Sequence, residues 1–263
     1  MKKIIALLLA ALMLCTCFTA CGKKAATLDS VKKAGKLVIA TSPDFPPFES
    51  LDGSNNVSGI EIDIMNLICQ ELGVELEIQQ MDFDSVLPGV QAGKFDVGVS
   101  GISVTPAREK NVKFTTPYCL AAQAIVVLEG SEIKAKADLT DKKVSVQSGT
   151  TAETFCNENG YAISSFKANA DAQTALVNGK VAAWVIDDLT AAEMVAKYNS
   201  ENPAVKLVVL DEPMTTEPYA FAFNLESGDL VDEINKTLEK LVSDGTVEDI
   251  FKKYNAPYTS PKK

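Results

Sequence analysis

One short stretch of this chain combines residue types that suit the binding of an anion. It runs from Val97 to Arg108 and predicts a buried strand, a loop and the first turn of a helix. The loop contains Ser100, Gly101 and Ser103. Backbone N–H groups at the start of a helix have no partner within it, so an anion is favoured there. Arg108 is the only arginine in the chain, and its planar set of donors fits a carboxylate.

Helix-start signals support this interpretation. Thr105 is a good N-cap, and Pro106 fits the first helical position. The alternative for Arg108 is an ordinary solvated surface arginine, which the loop before it disfavours. The stretch therefore predicts a carboxylate site.

A second strand-to-helix junction of the same kind lies later in the chain. A strand predicted over Lys143–Gln147 leads into Ser148, a glycine, Thr150 and Thr151, which offer close approach and donors. A further strand ends at Asp187 and Asp188. Either Asp187 is available to a ligand or it caps the next helix, and Asp188 is the expected cap of the two.

Aromatic residues follow the first predicted strand. The prolines between Thr41 and Phe48 exclude a helix and hold a rigid loop. We expect Phe48 to lie in the core and Phe45 to form a surface on which a ligand stacks. Trp184 alternates along a predicted buried strand and is also expected in the core.

The elements that position these residues have an α/β pattern. Strand and helix alternate from 36 to 100 and again from 143 to 210, as in doubly wound sheets. A single strand is predicted over Tyr219–Phe223. In the helix that follows Gly59, we expect Glu61 to complement the helix dipole.

Two extended segments bracket the middle of the chain. They lie near Ala121–Val126 and Glu217–Phe221, and they predict two crossings between two lobes. The predicted first lobe covers 36–122 plus 221–258, and the second lobe covers 123–220.

The N-terminus has the features of a bacterial lipoprotein. A basic start and a short apolar run predict a signal peptide over 1–20. Small residues precede Cys21, which is the expected lipidation site, with a simple secretory signal as the alternative. Residues 21–35 are then predicted to be a lipidated polar tether, and lipid chains on Cys21 would anchor the protein to the cell membrane.

Composition excludes several functions. The net charge of −10 argues against binding to nucleic acid. The 263 residues include no histidine, which removes histidine-dependent catalysis and histidine metal sites. Cys69, Cys119 and Cys156 have no zinc or disulfide spacing, and we expect buried thiols. Neither a metal nor a cofactor is expected.

The order and spacing of five motifs resemble the family 3 bacterial extracellular solute-binding proteins, the receptors of polar amino acid ABC transporters. These motifs are Pro46–Glu49, Gly59–Asp63, Gly93–Asp96, Gly101–Arg108 and Ser148–Thr151. The resemblance implies a two-lobed periplasmic-binding-protein-like fold of type II, with two extended hinge crossings. It also implies a monomer that binds a free amino acid and delivers it to a permease and its ATPase.

The resemblance further implies a clamp for a zwitterion. Arg108 and the N–H groups of Ser103 and Thr151 would hold the α-carboxylate. Asp187 would hold the α-ammonium, together with the Ser103 hydroxyl and a carbonyl near Ser100 or Gly101. Phe45 would stack on the ligand side chain. The ligand-binding residues implied in this way are Phe45, Phe83, Ser100, Gly101, Ser103, Arg108, Gln147, Thr150, Thr151 and Asp187.

Three functions remain open from the sequence. A transport receptor leads, with a sensory amino-acid-binding lipoprotein and a cyclohexadienyl dehydratase-like enzyme as alternatives; no enzymatic activity is expected. Relatives that bind basic amino acids often carry an acid where this chain has Ser42. We therefore expect a neutral polar amino acid or cystine, unless Asp44 or another acid reaches the same wall.

Overall fold

The computed structural model describes residues 25–202 and 204–261. The strands up to the middle of the chain are β1 (Lys36–Thr41), β2 (Asp44–Phe45), β3 (Glu49–Leu51), β4 (Val57–Ser58), β5 (Glu75–Gln80), β6 (Val97–Gly98), β7 (Lys113–Phe114), β8 (Cys119–Ala121) and β9 (Gln123–Leu128). The remaining strands are β10 (Lys143–Gln147), β11 (Ala162–Phe166), β12 (Ala183–Asp187), β13 (Leu207–Val209), β14 (Glu217–Tyr219) and β15 (Ala222–Phe223).

Helices alternate with these strands. The α-helices are α1 (Leu28–Ala34), α2 (Ile60–Leu72), α3 (Phe83–Gln91), α4 (Pro106–Glu109), α5 (Thr151–Glu158), α6 (Asn169–Val177), α7 (Asp188–Glu201), α8 (Gly228–Ser243) and α9 (Thr246–Lys253). A 3₁₀ helix spans Lys136–Leu139. None of the helices in the described part of the chain is long and apolar enough to cross a membrane.

The first sheet has the order β5-β1-β6-β15-β7. β1 runs parallel to β5 and β6, and β15 is antiparallel to β6 and β7. The carboxyl ends of parallel strands meet at one edge of a sheet, so the loops after β1 and β6 are neighbours. The backbone N–H of Ser42 accordingly donates to the Ser100 hydroxyl at 3.1 Å.

The second sheet has the order β11-β10-β12-β9-β13. β10 is parallel to β11 and β12, which places Gln147 and Asp187 at the same edge. β9 is antiparallel to β12, so its first residue, Gln123, pairs with Asp187. Along β12, Trp184 faces one apolar cluster while Val185 faces another. Both faces of this sheet are therefore covered, as expected for a doubly wound lobe.

A two-stranded ladder of β8 and β14 lies where the chain passes between the two sheets. These strands fall in or next to the extended segments that the sequence predicted as crossings. The single strand predicted over Tyr219–Phe223 is wrong. Tyr219 pairs with Cys119 in the ladder, whereas Ala222 pairs within the first sheet, because the chain changes partners between the two.

The core contains the aromatic residues expected there. Phe48 and Trp184 are fully buried, as the sequence predicted. Cys69, Cys119 and Cys156 are free and buried. Burial raises the pKa of the Cys156 thiol to about 12, which disfavours the thiolate form.

The N-terminal segment differs in part from the predicted tether over 21–35. α1 occupies its second half, with Thr27 as the side-chain cap and Val31 buried against the first lobe. The backbone N–H of Leu28 also donates to Asp229 of α8 at 3.0 Å. The predicted signal peptide and Cys21 lie outside the described residues.

Candidate ligand site

One cavity lies between the two sheets, at the carboxyl ends of their parallel strands. The ten ligand-binding residues that the resemblance implied all line it. The other lining residues are Ala152, Asn169, Val185 and Ile186. The first lobe contributes the loops after β1 and β6, and the second lobe contributes the ends of β10 and β12. The site is therefore assembled by two lobes.

Arg108 reaches the cavity from the short helix α4. The predicted cap is confirmed, since the Thr105 side chain accepts from the Arg108 backbone N–H and a proline follows Thr105. The guanidinium donates to the Ser103 carbonyl at 2.9 Å and to the Gly149 carbonyl at 3.1 Å. It also lies over the Phe83 ring at 5.7 Å. Both of these hydrogen-bond partners are neutral carbonyls. Burial lowers the pKa of Arg108, while the charge of Glu217 raises it.

Asp187 is buried on the other side of the cavity, at the end of β12. Its carboxylate accepts from the Tyr219 hydroxyl and from the Gln123 side-chain amide. Burial, and then the charge of Glu217, raise its pKa well above the ordinary value. A cation next to this carboxylate would offset the cost of burying it.

The cap of α7 differs from the sequence expectation. Asp187, rather than Asp188, occupies the N-cap position, but its side chain makes no capping bond. Asp188 is the first helical residue, and its carboxylate accepts from the backbone N–H groups of Leu189 and Ala122 at 2.8 and 3.3 Å. The capping alternative for the Asp187 side chain is therefore wrong, because that side chain lies at the cavity.

Glu217 is a buried acid that the sequence did not single out. It accepts from the hydroxyls of Ser103 and Thr151, the latter at 2.7 Å, and so joins the two lobes. Thr215 donates to its other oxygen at 3.0 Å. The resemblance assigned the Ser103 hydroxyl to a ligand ammonium, whereas here it donates to Glu217. The only signal in the sequence was an acid within a predicted crossing.

Phe45 packs into the cavity from β2, the short strand that follows β1. Its ring stacks on Phe48 with centroids 5.7 Å apart. Gly101 has a φ of 52°, and a Cβ there would lie 2.5 Å from a Phe45 ring carbon. Glycine at this position is thus required by both the backbone conformation and the aromatic ring.

The far wall contains a polar network across the two lobes. The Gln147 side-chain amide donates to Asp44 at 3.0 Å, and the Asn169 backbone N–H donates to the same carboxylate at 2.8 Å. Ser42 donates to Asp44 from its own loop at 2.9 Å. Burial raises the pKa of Asp44. Asp44 therefore lies directly behind the wall, and Asn169 joins the site without any signal in its local sequence.

The loop after β6 rests on two further carboxyl groups. The Ser100 hydroxyl donates to Glu49 at 2.7 Å, and the Gly101 backbone N–H donates to Glu61 at 2.9 Å. Glu61 also accepts from the Tyr118 hydroxyl at 2.7 Å. Glu61 lies in the first turn of α2, as expected of an acid that complements the helix dipole, but its side chain is also fully buried beneath the cavity.

Comparison with known proteins agrees with this architecture. The chain belongs to the bacterial extracellular solute-binding proteins, family 3, whose model matches residues 37–257. It is similar to the arginine-binding extracellular protein ArtP of Bacillus subtilis (strain 168), at 31% identity over 260 residues, covering 97% of this chain and 98% of the relative.

Solved structures show the same fold. A mutant of ArgBP from T. maritima superposes with a TM-score of 0.81 at 36% identity, covering 87% of this chain and 98% of ArgBP. An ancestral amino acid-binding protein, described as a precursor of cyclohexadienyl dehydratase, gives a TM-score of 0.78 at 35% identity, covering 87% of this chain and 99% of that protein. The two-lobed α/β architecture predicted from the sequence is confirmed.

Proposed function

We propose that this protein is the extracytoplasmic receptor of an amino acid ABC importer. The observation that carries the proposal is a pair of opposite charges on one cavity. Arg108 and Asp187 both line it, and neither forms an ion pair with another described residue. An α-amino acid is a zwitterion, so one molecule supplies the anion for the first and the cation for the second.

The energetics favour such a ligand. A buried ion is costly unless it is paired and hydrogen-bonded. Neutral partners hold Arg108 and Asp187 in place but do not neutralise them. The ligand's two charged groups therefore lose water where the protein offers each of them an opposite charge.

The division of the clamp makes closure depend on the ligand. Arg108 and Phe45 belong to the first lobe, whereas Asp187 and Thr151 belong to the second. Each lobe alone makes only part of the contacts with the ligand, so binding favours the closed arrangement of the lobes over the open one. The β8–β14 ladder is the place where a hinge would act.

A basic side chain is the first candidate for the ligand. Asp44 lies behind Gln147 and Asn169 at the far wall, and an acid at this position supports a basic ligand. Asp187 and Glu217 also outnumber Arg108 in the site. The similar protein ArtP is an arginine-binding protein, and ArgBP is known with arginine bound.

A neutral polar amino acid or cystine is the second candidate. Ser42 supplies no charge at the position where relatives of basic specificity often have an acid. The Asp44 carboxylate also accepts bonds already from Ser42, Gln147 and Asn169, so a ligand would find it shielded.

Lipid anchoring through Cys21, a monomeric state and delivery to a permease and its ATPase form part of the same proposal. The sequence motif before Cys21 supports the anchor, and membership of an extracellular family supports the location. Mass spectrometry of the mature N-terminus would identify the lipid on Cys21.

A thermal-shift screen of the twenty amino acids plus ornithine and cystine tests the function. We expect one chemical class to raise the melting temperature, because a ligand of the native state stabilises it by mass action. Calorimetry should then show one site per chain. If no amino acid binds and prephenate or arogenate is turned over instead, the receptor proposal is wrong.

Asp44→Asn separates the two ligand classes. The variant should weaken a basic ligand about tenfold or more, since a charged hydrogen-bond acceptor is lost near a cation, and a neutral ligand much less. Asp232→Asn, at an exposed position on α8, is the matched control. Equal losses for basic and neutral amino acids would contradict the first candidate.

A further inference from the structure

We propose that Glu49 and Glu61 share one proton, which is carried by Glu49. We further propose that this pair, from beneath the cavity, positions the Ser100–Gly101 loop that lines it. Protonation of the pair is independent of what the cavity binds. Only its consequence for ligand affinity rests on the function proposed above.

The backbone brings the two carboxyl groups together. Glu49 begins β3, Glu61 is the second residue of α2, and both side chains are fully buried. The Glu61 backbone N–H donates to the Phe48 carbonyl at 3.1 Å. Gly59 allows this approach, because a Cβ there would lie 2.1 Å from the same carbonyl oxygen. The start of α2 is thus held against the strand that carries Glu49.

The hydrogen bonds of the four carboxyl oxygens identify the protonated one. Glu61 accepts from Gly101 at one oxygen and from Tyr118 at the other. Glu49 accepts from Ser100 at Oε1, and its Oε2 is buried without a partner of its own. A side-chain hydrogen bond between the two carboxyl groups favours the proton on Glu49, since it raises the pKa of Glu49 and lowers that of Glu61. A proton on Glu49 Oε2, donated to Glu61, gives every one of these oxygens a bond.

The surrounding charges point to the same protonation state. The titratable groups that face the pair are Asp44, Tyr118 and Cys119, and lysine and arginine are not among its contacts in the described chain. Two buried carboxylates without a cation cannot both ionise cheaply. Burial, and then the charge of Glu61, raise the pKa of Glu49 well above its ordinary value.

The Glu49–Glu61 pair holds in place a loop that lines the cavity. The Ser42 N–H donates to the Ser100 hydroxyl, which in turn donates to Glu49. The Gly101 N–H is fixed by Glu61. Loss of the shared proton would place two negative charges beneath this loop and move both Ser100 and Gly101.

Two isosteric substitutions test the pair. Glu49→Gln copies the protonated state, because its amide can donate to Glu61 and accept from Ser100. We expect its ligand affinity to stay within about twofold of the wild type. Glu61→Gln retains only one acceptor oxygen for Gly101 and Tyr118, and we expect a loss of about tenfold or more. Glu71→Gln, at an exposed position on the same helix, is the control.

Infrared spectroscopy of the ligand-free protein near neutral pH measures the proton itself. The wild-type minus Glu49→Gln difference spectrum should contain the C=O stretch of one protonated carboxyl, and the Glu71→Gln difference should not. Asp187 is present in all of these proteins and cancels in the difference. A carboxylate band in place of the protonated one would overturn the proposal.

The pH dependence of unfolding gives a second measurement. Since the pKa of Glu49 is higher in the folded chain than in the unfolded one, its contribution to stability is full below the ordinary carboxyl pKa. That contribution falls as the pH rises towards the folded pKa. Glu49→Gln should remove this fall. If the variant does not fold, a ¹³C-glutamate titration of the wild type should show one glutamate still protonated near neutral pH; its absence would contradict the proposal.

Discussion

At the first strand-to-helix junction the loop after β6 leads into a helix of four residues, whereas at the second β10 leads into a helix of eight. The first junction presents a cation, Arg108, to the cavity. The second presents the hydroxyls of Thr150 and Thr151. Their sequences look alike, but a short helix provides little dipole of its own.

Backbone N–H donors of the second junction are hydrogen-bonded within the junction itself. The Gly149 N–H donates to Glu153 at 2.7 Å, and the Thr150 hydroxyl accepts from the Glu153 N–H at 3.2 Å. These donors are already used within the junction. An anion in the cavity therefore depends on the first junction for charge and on the second for closing contacts, and the predictions below test that division.

Arg108→Lys should have the largest effect. An ammonium group cannot make two parallel bonds to a carboxylate, and truncating a buried charged pair costs about 2–5 kcal/mol. Calorimetry should show the dissociation constant of the ligand rising from roughly thirtyfold to several thousandfold. Lys110→Arg, at an exposed position two residues further along the chain, should change little. Near-wild-type affinity in a folded Arg108→Lys protein would remove this residue from the clamp.

Acidification should weaken binding through the carboxylate that faces Arg108. The pKa of Asp187 is raised in the ligand-free protein, and a ligand ammonium needs the ionised form. As the pH falls through this raised pKa, Asp187 takes up a proton and the affinity falls, by up to about tenfold per pH unit. Calorimetry across a pH series measures the change. An Asp187→Asn protein should bind weakly with a flat profile, and a persisting slope in it would assign the titration elsewhere.

Thr151→Val should have the smallest effect of the three. It removes one hydroxyl that donates to Glu217 and accepts from Gln123. Glu217 also accepts from Ser103 of the first lobe, so the Thr151–Glu217 bond belongs to the contacts that join the lobes. We expect the affinity to fall about tenfold, mainly through faster ligand release. Stopped-flow measurements of release check this. Thr154→Val, exposed on the same helix, is the control, and an equal effect there would show a loss of helix stability instead.

Local signals predicted much of the fold, whereas the full set of site residues was implied by the resemblance to a family. The threonine–proline start of α4 and the glycine that ends α2 are properties of a few adjacent residues, and both are confirmed. The ten lining residues meet because the carboxyl ends of parallel strands share an edge. That rule needs only the order of strands and helices along the chain.

The site residues that the sequence did not predict are positioned by contacts between parts of the chain that are far apart in sequence. Glu217 enters the site because β14 pairs with β8, and Asn169 enters because α6 begins opposite the loop of Asp44. A first-turn acid such as Glu61 has the same local sequence whether it faces solvent or the core. Such contacts depend on how the two lobes meet, which no short stretch of sequence specifies.

The position of Trp184 gives this molecule a built-in optical probe. It is the only tryptophan in the chain, and it is fully buried in the second lobe. Its fluorescence therefore reports the unfolding of that lobe alone, whereas circular dichroism reports the helices of both. Coincident transitions from the two signals would mean that the lobes unfold as one cooperative unit, and separate transitions would mean that each lobe is stable by itself.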